Sequence, residues 1–371
     1  LSNKLRNLDW FKLNNIDEPN ILNFLDLVSL GTICDVVPIV QLNRAIVKQG
    51  LKVFGRRKNI GLKTLYDNSN INIQPNVYHL GYIIGPKINA GGRVGKSALA
   101  AEILLSENQD RVDYLAKELN DFNEFRKKIE LELFQKIENE TKDIKDPILF
   151  IQGKNFHEGI IGIVASRIKD KYNKPCIIIS INGNIGKGSA RSVFGLDIGT
   201  IIISAVQNEI LINGGGHKMA GGFSINVDNI EVFRKFLIKK YNSLFLDKDS
   251  RKTLYLDSII LPTALNVEFY NDINVLSPFG TGNPEPKFLI EDLKLANSNV
   301  VGNRHIKAIF YNKSNDVVKA IAFNSVDTVL ESCLVKNNKS SMNIAGTLTS
   351  NNWNGKNNIE FVINDISVNN I

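Results

Sequence analysis

The chain is poor in the residues that staple or anchor proteins. Its three cysteines, Cys34, Cys176 and Cys333, are far apart and odd in number. With no Cys-x-x-Cys pair, neither a disulfide framework nor a structural zinc site is indicated, which suits a reducing compartment. No apolar run approaches the ~20 residues that a membrane helix needs. No secretory signal opens the chain, so the cytoplasm is the expected location. Histidine is scarce, with only His79, His157, His217 and His305. Charge is plentiful but tilted: 45 Lys and Arg face 38 Asp and Glu, a net charge of +7 over 371 residues. A mild basic excess suits a polyanionic partner without demanding one. At 43% hydrophobic and 22% charged, the composition is globular, and the length predicts two or three domains at ~100–200 residues each.

Residues 1–110 read as mainly helical. Asn20 is placed to cap an apolar-faced helix, Gly31 to Pro38 breaks the pattern, and a helix from Arg44 to Phe54 follows. Residues 85–95 read as a glycine-rich loop before a helix from Ser97 to Leu105. From 110 to 141, Leu115, Leu119, Phe122, Ile129, Leu133 and Ile137 recur near helical spacing without Gly or Pro, predicting one long helix. Residues 147–245 alternate strand and helix, the mark of an α/β domain. Beyond 251, short strands at 287–292, 304–311, 317–323, 342–349 and 359–366 suggest a small barrel or sandwich, including an OB-fold.

Glycine marks the candidate sites. Asn213 to Gly222 sets five glycines around His217 and Lys218. Glycine permits positive φ and close approach to a ligand, and successive N–H groups in such turns cradle anions. The functional reading is a phosphate nest of Gly214, Gly215 and Gly216 with His217 as donor; the plain one is a tight turn. His157 to Arg167 likewise joins His, Gly and Arg at the start of an apolar helix. Gly188-Ser189-Ala190-Arg191-Ser192 follows a strand and offers a hydroxyl and a guanidinium to a phosphate. Ser189 reads as a ligand contact, since no base is evident beside it. Asn89 and Arg93 sit in the 85–95 segment, where a guanidinium suits bidentate phosphate contact or simply closes a loop. Asp35 is a lone carboxylate in an apolar run, read as a turn residue or as a ligand to a hard divalent cation. A phosphodiester substrate accounts for these separate Gly-plus-cation sites together.

In their order, these segments resemble the RecJ family of single-strand-specific 5′→3′ exonucleases in the DHH phosphoesterase superfamily. The likeness runs from Leu27-Val28-Ser29-Leu30-Gly31-Thr32 into Cys34-Asp35-Val36-Val37-Pro38 and Asn43-Arg44. It continues through Gly85 to Arg93, Asn123 to Glu130, His157 to Arg167, Gly188 to Ser192 and Gly214 to His217. It ends with Pro278 to Pro286 and Trp353-Asn354-Gly355. The Gly-Gly-Gly-His signal is shared with relatives such as alanyl-tRNA synthetases; the full series is specific.

The resemblance implies a two-metal Mn²⁺ or Mg²⁺ phosphoesterase. Its ligands come from an Asp-x-Asp motif, a further aspartate, an Asp-His-His motif and a final aspartate. Asp35 matches the final one, as catalytic and metal residue, and the others have no counterpart in this sequence. With Leu1 rather than Met at its start, the chain is expected to be a fragment lacking an N-terminal metal-binding portion and inactive alone. His217 is implied as the second catalytic residue. Substrate contacts are implied for Asn89, Arg93, His157, Arg167, Ser189, Arg191, Gly214, Gly215, Gly216 and Arg304. Phe310, Tyr311 and Trp353 are candidates for base stacking, and Arg304, His305 and Lys307 for a polar contact patch. The expected fold is α/β with a C-terminal all-β OB-fold. Its expected parts are a helical remnant of the catalytic domain (1–109), a connecting helix (110–141), a DHH-associated domain (142–250) and the OB domain (251–371). The expected activity releases mononucleotides in DNA repair and recombination. Single-stranded DNA is the expected partner of a monomeric, non-membrane chain, with a helicase and single-strand-binding protein by family analogy. The alternatives are a non-catalytic single-stranded-DNA-binding module and a DHH-type phosphodiesterase of cyclic dinucleotides or oligonucleotides.

Overall fold

The structure is a computed structural model that describes residues 2–71, 73–141, 146–245, 253–336, 340–353 and 356–369. Helices come first: α1 (Ser2–Asn7), α2 (Trp10–Leu13), α3 (Leu25–Cys34), α4 (Gln41–Gly55), α5 (Ile60–Asp67), α6 (Gly85–Val94), α7 (Ala98–Leu105) and α8 (Gln109–Thr141). An alternating stretch follows: β1 (Leu149–Lys154), α9 (Glu158–Tyr172), β2 (Cys176–Asn182), β3 (Ile185–Arg191), α10 (Ile198–Gln207), β4 (Asn213–His217), β5 (Ala220–Asn226) and α11 (Ile230–Phe245). The last part holds β6 (Ser258–Ile259), α12 (Val267–Asn274), β7 (Phe288–Val301), β8 (His305–Tyr311), β9 (Val317–Ala322), α13 (Val329–Lys336), β10 (Met342–Trp353) and β11 (Lys356–Val368). Among the described residues no helix is long and apolar enough to cross a membrane.

Two sequence expectations change here. Residues 85–95 are not a loop: Gly85 to Val94 is helix, with Pro86 in the first turn, where its missing N–H costs nothing. The glycines are there for packing. A Cβ on Gly91 would lie 2.8 Å from the Lys96 carbonyl oxygen, and one on Gly95 would lie 2.5 Å from the Phe122 ring. Likewise α3 runs through Gly31 to Cys34 rather than breaking there.

The chain forms two compact units. The first comprises 1–56, 74–80 and 253–371, and the second 57–73 and 81–252. The helical residues 1–109 are therefore shared between units rather than forming one block. Hydrogen bonds to distant backbone carbonyls explain the first grouping. Arg44 Nη2 donates to the Leu276 carbonyl at 2.5 Å, and Ile39 N–H donates to the Thr281 carbonyl at 2.6 Å.

In the first unit, β10-β11-β9-β8-β7 close into a five-stranded barrel through a β10–β7 pairing. Ile290, Leu293, Ile306, Phe310, Val318, Phe361 and Ile363 fill it. Phe310, expected as a stacking candidate, is fully buried and belongs to this core. The Trp353 side chain and residues Asn354 and Gly355 lie outside the described residues.

In the second unit the sheet order is β1-β2-β3-β5-β4, with β1–β2 parallel and the rest antiparallel. Ile177, Ile179, Ala190, Phe223 and Ile225 pack on one face under α10 and α11. Leu149, Ile151, Cys176 and Ile178 pack on the other under α8 and α9. Burial on both faces makes β2 a continuous apolar run.

Candidate nucleic-acid interface

Antiparallel register sets the candidate groove of the second unit. Directly opposed residues share a sheet face, so three rows cross β3, β5 and β4. They are Lys187–Ser224–Asn213, Ser189–Gly222–Gly215 and Arg191–Ala220–His217. Residues two apart along a strand also share a face, so all three rows look the same way. The first turn of α9 borders them, and Arg93, Gly159, Gly162, Ser189, Arg191 and Gly222 line a groove of about 430 Å³.

The glycines of the Gly-Gly-Gly-His segment divide by face. A Cβ on Gly215 would meet nothing within 4 Å, and one on Gly222 only the Gly188 carbonyl at 3.8 Å. Gly222 leaves the groove floor bare, and Gly215, paired with it on the same face, is open as well. On the opposite face, a Cβ on Gly214 would lie 2.8 Å from Ile202, and one on Gly221 2.4 Å from it. Those glycines admit α10. Gly216 is required by its own hairpin, since a Cβ would sit 2.4 Å from the Ala220 carbonyl. The segment is an extended strand, none of its three glycines takes the left-handed conformation, and the expected anion nest is not formed. His217 ends β4 exposed, its Nδ1 accepting from Met219 N–H at 3.4 Å.

Arg191 is held without a counter-charge. Its Nε donates to Ser166 Oγ at 3.0 Å, and its Nη1 donates to Ser189 Oγ and to the Ala190 carbonyl, both at 2.8 Å. Every acceptor is neutral, and among the described residues no carboxylate pairs with it. Burial lowers the Arg191 pKa, and Arg93 lowers it further. Arg93 donates to the Gly159 carbonyl at 3.3 Å, also without a carboxylate. Its pKa falls through desolvation and then Arg126, partly offset by Glu130. Two desolvated guanidiniums, with Arg93 disfavouring the charge on Arg191, beside the positive end of a 15-residue helix, make a site that an anion relieves. Lys187 at the groove edge is already paired with Glu158 at 2.8 Å.

Other expected site residues have other structural duties. His157 caps α9, its Nδ1 accepting from Gly159 N–H at 3.2 Å. Arg167 does not line the groove: it pairs with the buried Glu130 at 3.0 Å and lies 4.4 Å over the Phe134 ring, joining α9 to α8. Asn89 is exposed on α6 and is not a groove residue. Asp35 and Arg304 belong to the first unit. Asp35 is exposed as the C-cap of α3, donating its N–H to the Gly31 carbonyl at 3.0 Å. The next residue, Val36, has φ +56, a strained conformation for a β-branched side chain.

Sequence reading missed Gly162 and Ser166. A Cβ on Gly162 would lie 2.7 Å from Arg191 Nη2 and 3.0 Å from Ser189 Oγ, so this glycine makes room for the guanidinium. Its four-residue spacing to Ser166 on one helix face was the available signal.

The barrel of the first unit presents a second candidate surface. Lys294–Tyr311–Val317, Asn297–Ile309–Lys319 and Asn299–Lys307–Ile321 are outward rows across β7, β8 and β9. The rows hold three lysines, one half-buried tyrosine and no acidic residue. Arg304 is exposed in the β7–β8 turn, and His305 Nδ1 accepts from Asn324 N–H at 2.9 Å.

The second unit thus carries a groove with two arginines on a mixed sheet, and the first unit a closed five-stranded barrel. The chain's parts match known family models: a DHHA1 domain over residues 145–243 and a RecJ OB domain over 256–365. The single-stranded-DNA-specific exonuclease RecJ of Haemophilus influenzae is 33% identical over 86% of this chain and 58% of that protein. RecJ of Escherichia coli is 30% identical over 98% of the chain and 64% of that protein. The crystal structure of Thermus thermophilus RecJ with Mn²⁺ superposes with a TM-score of 0.82 at 27% identity, covering 97% of this chain and 52% of that one. The chain is thus a homologue of the RecJ exonucleases, carrying their DHHA1 and OB domains in that order. It spans 58% and 64% of the lengths of these two curated relatives.

The Thermus enzyme has been solved with Mn²⁺ and with Mg²⁺. Among the described residues of this chain, no group of three or more His, Cys, Asp or Glu is placed to hold a metal ion. Asp35 alone does not make a two-metal centre, so by themselves these residues do not fit the pair.

Proposed function

We propose that this chain provides the strand-binding part of a 5′→3′ exonuclease that hydrolyses single-stranded DNA to mononucleotides in repair and recombination. The observation that carries this reading is the Arg93–Arg191 pair, desolvated, bonded to no carboxylate among the described residues and set at the start of α9 beside a bare glycine. Phosphate oxygens replace the missing counter-charge. Ser189 and Arg191 bind a backbone phosphate, Gly215 and Gly222 let the sugar-phosphate lie close, and His217 completes the Arg191 row. The outward lysine rows of the barrel are a second contact surface for the strand, in keeping with single-strand binding by OB domains. Asp35 serves as one metal ligand once the other ligands of the family are supplied.

A second reading, a single-stranded-DNA-binding module without hydrolysis, is favoured for the chain by itself by the incomplete ligand set. The test is to incubate the chain with 5′-labelled single-stranded DNA and Mn²⁺, following both binding and release of label. Binding without cleavage is expected of the chain alone. Cleavage overturns the account of the metal ligands, and absence of binding overturns the groove itself.

A further inference from the structure

Phe194 is 95% exposed, more than any other large apolar side chain among the described residues. It stands at the tip of the turn between β3 and α10, three residues beyond Arg191. A lone exposed apolar side chain is ordinary on a protein surface, but this tip is braced. Ser192 N–H donates to the Met219 carbonyl at 2.9 Å, and Ile198 N–H to the Lys218 carbonyl at 3.2 Å. Within the turn, the buried Ser192 hydroxyl donates to the Leu196 carbonyl at 2.7 Å. The tip is therefore stitched to the hairpin turn that follows His217, where Lys218 and Met219 are exposed as well. His217 itself closes the Arg191 row of the groove. One rim thus presents an aromatic face, a thioether and a cation where the groove ends.

We infer that Phe194 is a stacking post for an unpaired nucleobase of the strand whose phosphate lies at Arg191. The inference rests on the groove reading above. Stacking on an aromatic face is tolerant of base identity, because every base has a π-face. It also selects single strands: a base in a duplex already has both faces stacked, and freeing one costs unstacking energy. A turn braced at its neck loses little backbone freedom on binding.

The test is fluorescence anisotropy with labelled dT12 and with an abasic phosphate oligomer of equal length. The proteins are the unaltered chain, Phe194→Ala, Phe194→Trp and Arg191→Ala. Phe194→Ala is expected to bind dT12 roughly 5- to 150-fold more weakly, with an unchanged salt slope, and to bind the abasic oligomer as the unaltered chain does. Phe194→Trp restores dT12 binding. Arg191→Ala weakens both oligomers and reduces the salt slope by ~0.7. If Phe194→Ala binds dT12 normally, or loses both oligomers equally, while Arg191→Ala is impaired, the stacking post is refuted and the groove stands. If Arg191→Ala also binds normally, both are refuted.

Discussion

Gly162→Ala separates the groove's function from its fold. The substitution falls inside α9, where alanine is favoured over glycine by roughly 0.5–1 kcal/mol. The added Cβ would lie 2.7 Å from Arg191 Nη2 and 3.0 Å from Ser189 Oγ. Both are ends of side chains, so the backbone need not move. The guanidinium must instead retreat by about 0.7 Å to reach ordinary contact. That retreat strains the bonds that aim it, at 3.0 Å to Ser166 and 2.8 Å to Ser189. Their weakening costs up to roughly 0.5–1.5 kcal/mol each, of which the helix gain returns about 0.5–1 kcal/mol, so stability falls by no more than about 2.5 kcal/mol. Binding responds differently. A displaced guanidinium forfeits a charge-assisted contact worth about 1.5–3 kcal/mol, or roughly 10- to 150-fold in affinity. Urea unfolding and anisotropy with dT12 measure the two quantities on one preparation. Wild-type affinity in Gly162→Ala would refute the claim that the position of Arg191 organises the groove.

Three further outcomes follow from other parts of the molecule. Glu130 is 10% exposed and bonded to Arg126 at 2.5 Å and Arg167 at 3.0 Å. Glu130→Gln should therefore cost about 3 kcal/mol in urea unfolding by leaving guanidiniums uncompensated; a loss below half a kcal/mol would make the network ornamental. Val36→Gly relieves a β-branched residue at φ +56 and should stabilise the chain by up to about 1 kcal/mol, the relief exceeding the entropy cost of glycine; destabilisation would show that Val36 packs rather than strains. Burial raises the Asp26 pKa, opposed by the Leu27 and Asp26 backbone N–H groups. Asp26 then contributes stability while protonated, below its unfolded pKa, and that contribution is lost as pH rises through the folded value. Asp26→Asn should accordingly gain stability over the native chain at neutral pH and match it in acid, which denaturation across pH 3–8 would check.

Much of this molecule is written in periodicity. The extent of α8 follows from helical spacing with no Gly or Pro between 109 and 141. The barrel strands follow from short alternating runs, although β7 continues to Val301, well past the expected 292. Asn20 caps as expected, but it caps a single 3₁₀ turn. The order of Gly, His and Arg segments was enough to point to RecJ, because such an order survives in sequence independently of geometry.

Glycine is where the sequence is ambiguous and tertiary structure decides. A missing Cβ leaves one signature whether the space admits a helix, a neighbouring backbone, an aromatic ring or a ligand. In the Gly-Gly-Gly-His segment all of the candidates looked alike, yet Gly214 yields to Ile202, Gly216 to Ala220, and only Gly215 faces open space. In residues 85–95 the same composition proved to be helix, because Lys96 and Phe122 fill the space that side chains would need. Charge behaves similarly. Arg167 and Arg191 are both arginines in Gly-rich surroundings, but one meets Glu130 and the other only neutral oxygens. Which cation remains available to a phosphate depends on the neighbours that folding brings to it, and those neighbours are distant in the chain.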